Sequence, residues 1–254
     1  MSILSAIILG IVQGLTEFLP VSSSGHLVLL EKIFGIKNNL ILLNVVLHLG
    51  TLFAVVIYYR KRLLQYLKNP FQKEVGHLCV ATIPTVIIFL LFKNIIEKSF
   101  GGDYLVIGFL ITAVIMLICN FVTSYKNVIA KPFTYKSAII MGVFQGLAIA
   151  PGISRSGSTI TSGVVYGCDK NKVADFSFLM SIPVILASLV FELFKLNSSV
   201  VAIDILPIIV GFVFAFIFGF ISIKFMLKVV SRAKFYWFSI YLIILSFVLL
   251  FINI

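Results

Sequence analysis

Two short polar tracts interrupt an otherwise apolar sequence, and each carries reactive side chains. The first holds Gln13 and Glu17, then Ser22, Ser23, Ser24, Gly25 and His26; the second holds Ser154, Arg155, Ser156, Gly157, Ser158 and Thr159. If the tracts meet, an acid, an imidazole, a guanidinium and several hydroxyls converge. Those are the parts of an anion-binding site with a nucleophile and a base beside it. Each tract opens a helix, near Ser24 and near Ser158, and a helix N-terminus offers N–H groups and partial positive charge to an anion. Arg155 adds a planar fork matched to phosphate oxygens. Gly25 and Gly157 let backbone approach a ligand closely. Ser22, Ser24, Gly25, Ser154, Ser156, Gly157 and Thr159 thus form an oxyanion cradle. Gln13 lies one turn before Glu17 and shares its face. The same residue types also serve as helix caps, a polar bridge and an ion pair. Four of them together at two tips favours chemistry.

The elements that must position these groups are set by composition. Hydrophobic residues make up 61% of the 254 and charged residues 11%, with a mean hydropathy of +1.16. Soluble domains are about 45–50% apolar and about 25% charged, so a soluble enzyme, a disordered tail and a nucleic-acid arm are excluded. The net charge of +11 sits in short clusters between apolar runs, as in membrane proteins. Cys79, Cys119 and Cys168 lack the spacing of a disulfide framework or zinc site, and the N-terminus reads as mature protein, not a signal peptide.

A membrane span needs about 20 apolar residues. Six stretches qualify: 40–59, 75–93, 104–124, 174–195, 203–224 and 236–254. Two further apolar regions break at the polar tracts, and their resumed pieces, 26–35 and 159–168, are too short to cross. Polar backbone at membrane depth is tolerated only where it lines a cavity or is buried in protein. Each broken region therefore reads as a re-entrant helix hairpin. The loops 60–73, 126–136, 170–172 and 224–234 carry fourteen basic residues, Lys126 and Lys234 among them, and the opposite connections carry five: Lys32, Lys37, Lys93, Lys98 and Lys195. The positive-inside rule places the fourteen in the cytoplasm and both termini outside.

Shifting residues 10–25 by 132 superposes Gly10, Gln13, Gly14, Leu15, Ser22, Ser24 and Gly25 on Gly142, Gln145, Gly146, Leu147, Ser154, Ser156 and Gly157. Composition alone gives roughly one such identity. The expected fold is an all-α polytopic membrane protein: six transmembrane helices plus two re-entrant hairpins in an inverted-topology repeat, units about 1–130 and 131–254 of one domain. That architecture puts binding sites near the midplane between broken helices. Gly10/Gly14 and Gly142/Gly146 read as close helix packing. His48, beside Gly50 and Thr51, reads as packing ahead of catalysis, His77 as interfacial, and Glu192 as a local pair with Lys195.

GIVQGLTEFLPVSSSGHL (10–27) and PGISRSGST (151–159) resemble the two signatures of the undecaprenyl-pyrophosphate phosphatase family, the bacitracin-resistance membrane phosphatases of bacteria. NVVLHLGTLFAVVIYYRK (44–61) and FSFLMSIPVILASLVFEL (176–193) extend the resemblance, and the layout matches end to end. It implies hydrolysis of undecaprenyl pyrophosphate to the monophosphate carrier of cell-wall synthesis, in the bacterial plasma membrane, with the site toward the outer face. It also implies roles. Glu17 matches the second acid of a Glu/Gln-x-x-x-Glu motif, with Gln13 at the first position. Ser23 matches the nucleophile, His26 the acid/base and Arg155 the phosphate-binding arginine. Two mechanisms fit: attack by Ser23 assisted by His26, or water activated by Glu17 with Ser23 only binding phosphate. No cofactor is obligatory from the sequence; a divalent cation, Mg²⁺ or Ca²⁺, could bridge Glu17 and the pyrophosphate, although the sequence offers no self-sufficient metal cage. The expected partners are the polyprenyl lipid, membrane lipid and a second copy of the chain, not nucleic acid. The rival reading is a lipid-phosphate flippase, which needs Arg155 and the helix N-termini but not Glu17, Ser23 and His26.

Overall fold

The computed structural model describes residues 2–36, 40–125, 130–195, 205–232 and 235–252. Lys37, Lys126 and Lys234, and residues 203, 204, 253 and 254 at the ends of expected spans, lie outside these. Among the described residues there are eleven helices and no strand; an isolated bridge joins Lys131 and Cys168.

The first hairpin is α1 (Ile3–Phe18) and α2 (Ser23–Ile33). Ser2 caps α1 by accepting from the Ser5 amide at 3.0 Å. The helix ends where Leu19 precedes Pro20, since a residue before proline is pushed out of the α region. The second hairpin is α7 (Tyr135–Leu147) and α8 (Arg155–Tyr166). Thr134 and Ser137 close a reciprocal capping box at the start of α7. Gly167, at φ 104°, terminates α8 in the left-handed conformation.

The other helices are α3 (Leu40–Tyr58), α4 (Arg60–Lys68), α5 (Lys73–Ser99), α6 (Leu105–Tyr125), α9 (Lys170–Lys195), α10 (Ile205–Ser231) and α11 (Tyr236–Ile252). Of these, α5, α6, α9 and α10 are long and apolar enough to cross a membrane, and α3 with α4 adds a fifth candidate bent by 75°. The sixth expected span, α11, has 17 residues, which is short of a full crossing by length alone. Exposed Ile83, Ile87, Leu90 and Leu91 on α5, and Ile244, Phe247 and Phe251 on α11, suit lipid contact. The protein is an all-helical, multi-pass membrane protein.

The stretch 60–73, expected as a plain loop, begins with α4. Leu63 and Tyr66 lie three residues apart and turn inward, while Arg60, Lys61 and Lys68 are exposed. Arg62 Nε and Nη2 donate to Glu74 at 3.2 and 3.1 Å. Tyr66 donates to Glu74 at 2.7 Å, and Tyr59 to Asp175 at 2.6 Å. These bonds tie the bend to the starts of α5 and α9.

The 132-residue shift carries the bounds of α5 onto those of α10. The packing crosses over: α1 lies on α10, and α7 on α5. A Cβ at Gly14 would stand 2.7 Å from both Ala215 O and Gly219 N, backbone that cannot move aside. Ser222 donates to Leu15 O at 2.7 Å across the first pair, and Thr85 to Gly142 O at 2.9 Å across the second. The reading of these glycines as close packing holds.

Candidate active site

The two hairpin tips meet. Ser22 Oγ accepts from the Gly152 amide at 3.0 Å and from Gly25 N at 3.3 Å. Ser156 donates to Leu19 O at 2.9 Å. Gly152, at φ +90°, lets the second tip turn against Gly108 of α6. Thr112, one turn beyond Gly108, donates to Gly152 O at 2.8 Å and accepts from Ser154 N at 2.9 Å. Both new helices start earlier than expected, at Ser23 and Arg155, because Ser22 and Ser154 are the N-caps.

Glu17 is the centre of the polar cluster and is buried. One oxygen, Oε1, accepts from Arg155 Nη2. The other, Oε2, accepts from Ser23 Oγ at 2.5 Å and from Gln13 Nε2 at 3.0 Å. Gln13 is fully buried and also reaches Thr51 Oγ1 at 3.5 Å. A carboxylate buried beside a guanidinium keeps its charge because the pair compensates both ions and hydrogen bonds hold the geometry. Ser23, Ser24 and Arg155 are half-buried, so these three can meet a ligand from outside the cluster.

The other expected cradle residues serve the tips themselves. Ser154 accepts from the Gly157 amide at 3.1 Å and lies 3.2 Å from Ser156 Oγ. Thr159 is fully buried and shares a hydrogen bond of 2.6 Å with Ser177. A Cβ at Gly25 would strike the Phe109 ring and Gly152 N; one at Gly157 would crowd Pro20 and Met116. Their neighbours are therefore packed protein. The N-caps also take the Gly25 and Gly157 amides that an anion would otherwise use.

His26 belongs to a different group from Ser23. Its Nδ1 lies 2.7 Å from Ser22 O, which can only accept, so Nδ1 carries the proton. In the neutral ring Nε2 then accepts from the Tyr241 hydroxyl at 2.6 Å. The ring also meets Phe109 edge-on. Ser23 therefore pairs with Glu17, and His26 anchors α11 to the first tip.

The imidazole that reaches Glu17 is His48. Its Nδ1 donates to Asn44 O at 2.7 Å, and Nε2 lies 3.9 Å from Glu17 Oε2. Nothing in the local sequence distinguished His48 from a packing residue, and Thr112, Tyr241 and Thr51 carried no signal either. His77 is buried against the Phe133 and Tyr135 rings. Glu192 lines the cavity described next; the Lys195 side chain lies outside the described ones.

A cavity of about 410 Å³ adjoins the cluster. Its wall includes Ser24 and His48, with Leu27, Val28, Phe89 and Phe191 forming apolar surface. A lining that is mainly apolar with several polar side chains among it suits an amphipathic lipid. Among the described residues no three His, Cys, Asp or Glu side chains are grouped to hold a metal ion. Neither oxygen of Glu17 lacks a partner, and Arg155 already supplies its counter-charge. Glu17 does not fit the role of metal ligand in this arrangement.

A polytopic helical protein whose two broken helices bring a serine, a carboxylate and an arginine together in the membrane belongs to the class of integral-membrane proteins acting on anionic lipids. Residues 6–248 match the family described as Bacitracin resistance protein BacA, and the chain belongs to that family. It is 44% identical to the undecaprenyl-diphosphatase of Carboxydothermus hydrogenoformans, over 98% of this chain and 97% of the relative. It is 39% identical to that of Christiangramia forsetii, over 95% and 94%. With the undecaprenyl-diphosphatase of Treponema denticola it shares 37%, over 96% and 94%.

Proposed function

We propose that this protein hydrolyses undecaprenyl pyrophosphate to undecaprenyl phosphate and inorganic phosphate, returning the lipid carrier to cell-wall synthesis and conferring bacitracin resistance. The observation that carries the reading is the Ser23–Glu17–Arg155 arrangement, in a chain similar along its whole length to undecaprenyl-diphosphatases.

Ser23 Oγ attacks the terminal phosphorus while Glu17 Oε2 takes its proton, and the bridging oxygen leaves with the lipid phosphate. Water then releases phosphate from the serine. Arg155 turns its remaining N–H groups to the equatorial oxygens, where a preorganised donor is worth about 10²–10³ in rate. The 2.5 Å Ser23–Glu17 bond supports Glu17 as the base, and the engagement of His26 with Tyr241 speaks against His26 in that role. The polyprenyl tail lies along the apolar wall of the cavity. The same serine–carboxylate pair has no use in a carrier, and nothing in the relatives' names supports the flippase reading.

The proposal extends to orientation: the site opens toward the outer face and both termini lie outside, as the charge asymmetry suggests. Light scattering in detergent tests whether two copies associate. The main experiment is phosphate release from a polyprenyl pyrophosphate by purified protein. Ser23→Ala is expected to be nearly inactive even at saturating substrate, with phosphoserine trapped at Ser23 in quenched wild-type enzyme. A Ser23→Ala variant that mainly raises KM and keeps appreciable kcat would return the role to water activated by Glu17.

A further inference from the structure

His48 stands where the polar cluster meets the cavity. Its side chain is 22% exposed and forms part of the cavity wall. Nδ1 lies 2.7 Å from Asn44 O, a carbonyl that only accepts, so Nδ1 holds a proton in either charge state of the ring. The proton chemistry of the residue is therefore confined to Nε2. That atom makes no hydrogen bond among the described residues and faces Glu17 Oε2 at 3.9 Å. With Nε2 bare, a lone pair meets a carboxylate; with Nε2 protonated, the same contact is an ion pair.

The oxygen it faces is the one that takes the serine proton. Ser23 and His48 both approach Glu17 Oε2, but of the two only His48 lines the cavity in which the polyprenyl tail lies in the proposed reaction. The leaving group is the lipid phosphate, continuous with that tail, so it departs on the His48 side. Further negative charge developing there, against a mainly apolar wall, is costly. A proton delivered to the bridging oxygen removes it. His26 has both nitrogens engaged, with Ser22 O and Tyr241.

We propose that His48 is the proton donor to the leaving lipid phosphate and, once neutral, the base for the water that follows; the inference rests on the phosphatase reading. In the first step the Ser23 hydroxyl proton passes to Glu17 Oε2 and the Oγ–P bond forms. The bridging P–O bond breaks, its electron pair stays on the lipid phosphate oxygen, and that oxygen takes the Nε2 proton of His48. In the second step Nε2 takes a proton from water as the water oxygen bonds to phosphorus. The P–Oγ bond breaks, and Ser23 recovers its proton from Glu17. One water is consumed, and all three side chains return to their starting states.

The test is the pH profile of phosphate release from a polyprenyl pyrophosphate by the purified full chain in detergent. The charged and titratable groups around His48 are Glu17 of α1, Glu31 of α2 and Arg155 of α8, with Glu97 of α5 and Glu192 of α9 on the same cavity. The helix α10 meets α3 at Gly50 through Phe212, Ala215 and Phe216, which carry no charge. All of these groups and the substrate's own ionisation are common to wild type and a His48 variant, so a limb lost on substitution belongs to His48. His48→Gln should lower kcat about 10²-fold with KM unchanged, and should lose the alkaline limb of kcat/KM. His26→Gln should keep that limb. Added imidazole should raise the activity of His48→Ala about 10-fold or more and leave Arg155→Ala as it is, a response that a purely structural role would not give. The proposal is overturned if His48→Gln keeps kcat within about 3-fold of wild type, if its alkaline limb matches that of wild type, or if imidazole restores nothing to His48→Ala. Wild type that releases no phosphate would overturn the phosphatase reading and this role with it. Active wild type beside an equally active His48→Gln would overturn this role alone.

Discussion

Arg155 has two duties that can be separated. It holds the buried carboxylate of Glu17, and its other N–H groups face the substrate in the proposed reaction. Arg155→Ala should lower phosphate release by about 10²–10³-fold. It should also cost about 3–5 kcal/mol of stability, because a buried carboxylate is left without its counter-charge. Adding Glu17→Gln to that variant should recover much of the thermal stability in detergent and none of the activity. A double variant as unstable as Arg155→Ala would show that the ion pair contributes little to the fold. The tip residues themselves were legible in the sequence, because an acid, a guanidinium and a run of serines stand out against apolar surroundings. Their partners were not. Spacing set Ser23 one turn from His26, yet a local bond to Ser22 O and a tertiary bond to Tyr241 hold the ring elsewhere. A residue 215 positions away leaves no local trace.

The hairpin arms depend on how closely helices approach. Replacing Gly14 by Ala puts a methyl group into the backbone of α10, and overpacking of this kind costs about 1–3 kcal/mol. Gly14→Ala should therefore lower the unfolding temperature, while Gly101→Ala, whose nearest outside neighbour would lie 3.4 Å away, should not. Equal effects would remove the case for a tight α1–α10 contact. Span positions were readable because an apolar run of sufficient length permits little else. The start of α2 was misjudged by one residue and that of α8 by three, since Ser22 and Ser154 act as caps where chemistry was expected of them. The helix α4 was hidden for another reason: a nine-residue segment with four basic side chains reads as a cytoplasmic loop unless Leu63 and Tyr66 are seen as one inward face.

At the scale of the molecule the open question is which way up it sits. In the proposed orientation, which follows the fourteen-to-five division of basic residues, α4 and the segment after α10 face the cytoplasm. Single cysteines at Lys68 and Arg232, in a background with the three native cysteines removed, should be protected from an impermeant thiol reagent added to intact cells and react after permeabilisation. Labelling of Lys68→Cys from outside would reverse the orientation and move the proposed site to the inner face. Charge counts can say this much because they act through the membrane as a whole; they are blind to which helices touch. That α1 packs on α10 and α7 on α5 could not be read from either half of the chain.

That crossed packing bears on how the chain is made. The face of α1 that carries Gly10 and Gly14 is covered by residues near Gly211, Ala215 and Gly219, about 200 positions later, which at about 5–20 residues per second are synthesised some tens of seconds afterwards. Glu17 waits 138 residues of synthesis for Arg155, and α1, packed meanwhile only against α2 and α3, waits longer for α10. The first hairpin must be sheltered by the insertion machinery or held at the membrane surface, and it takes up its final place only when the second half of the chain arrives. The amino-terminal half released by a premature stop is therefore a fragment with a charged, uncovered hairpin, and quality control would meet it as such.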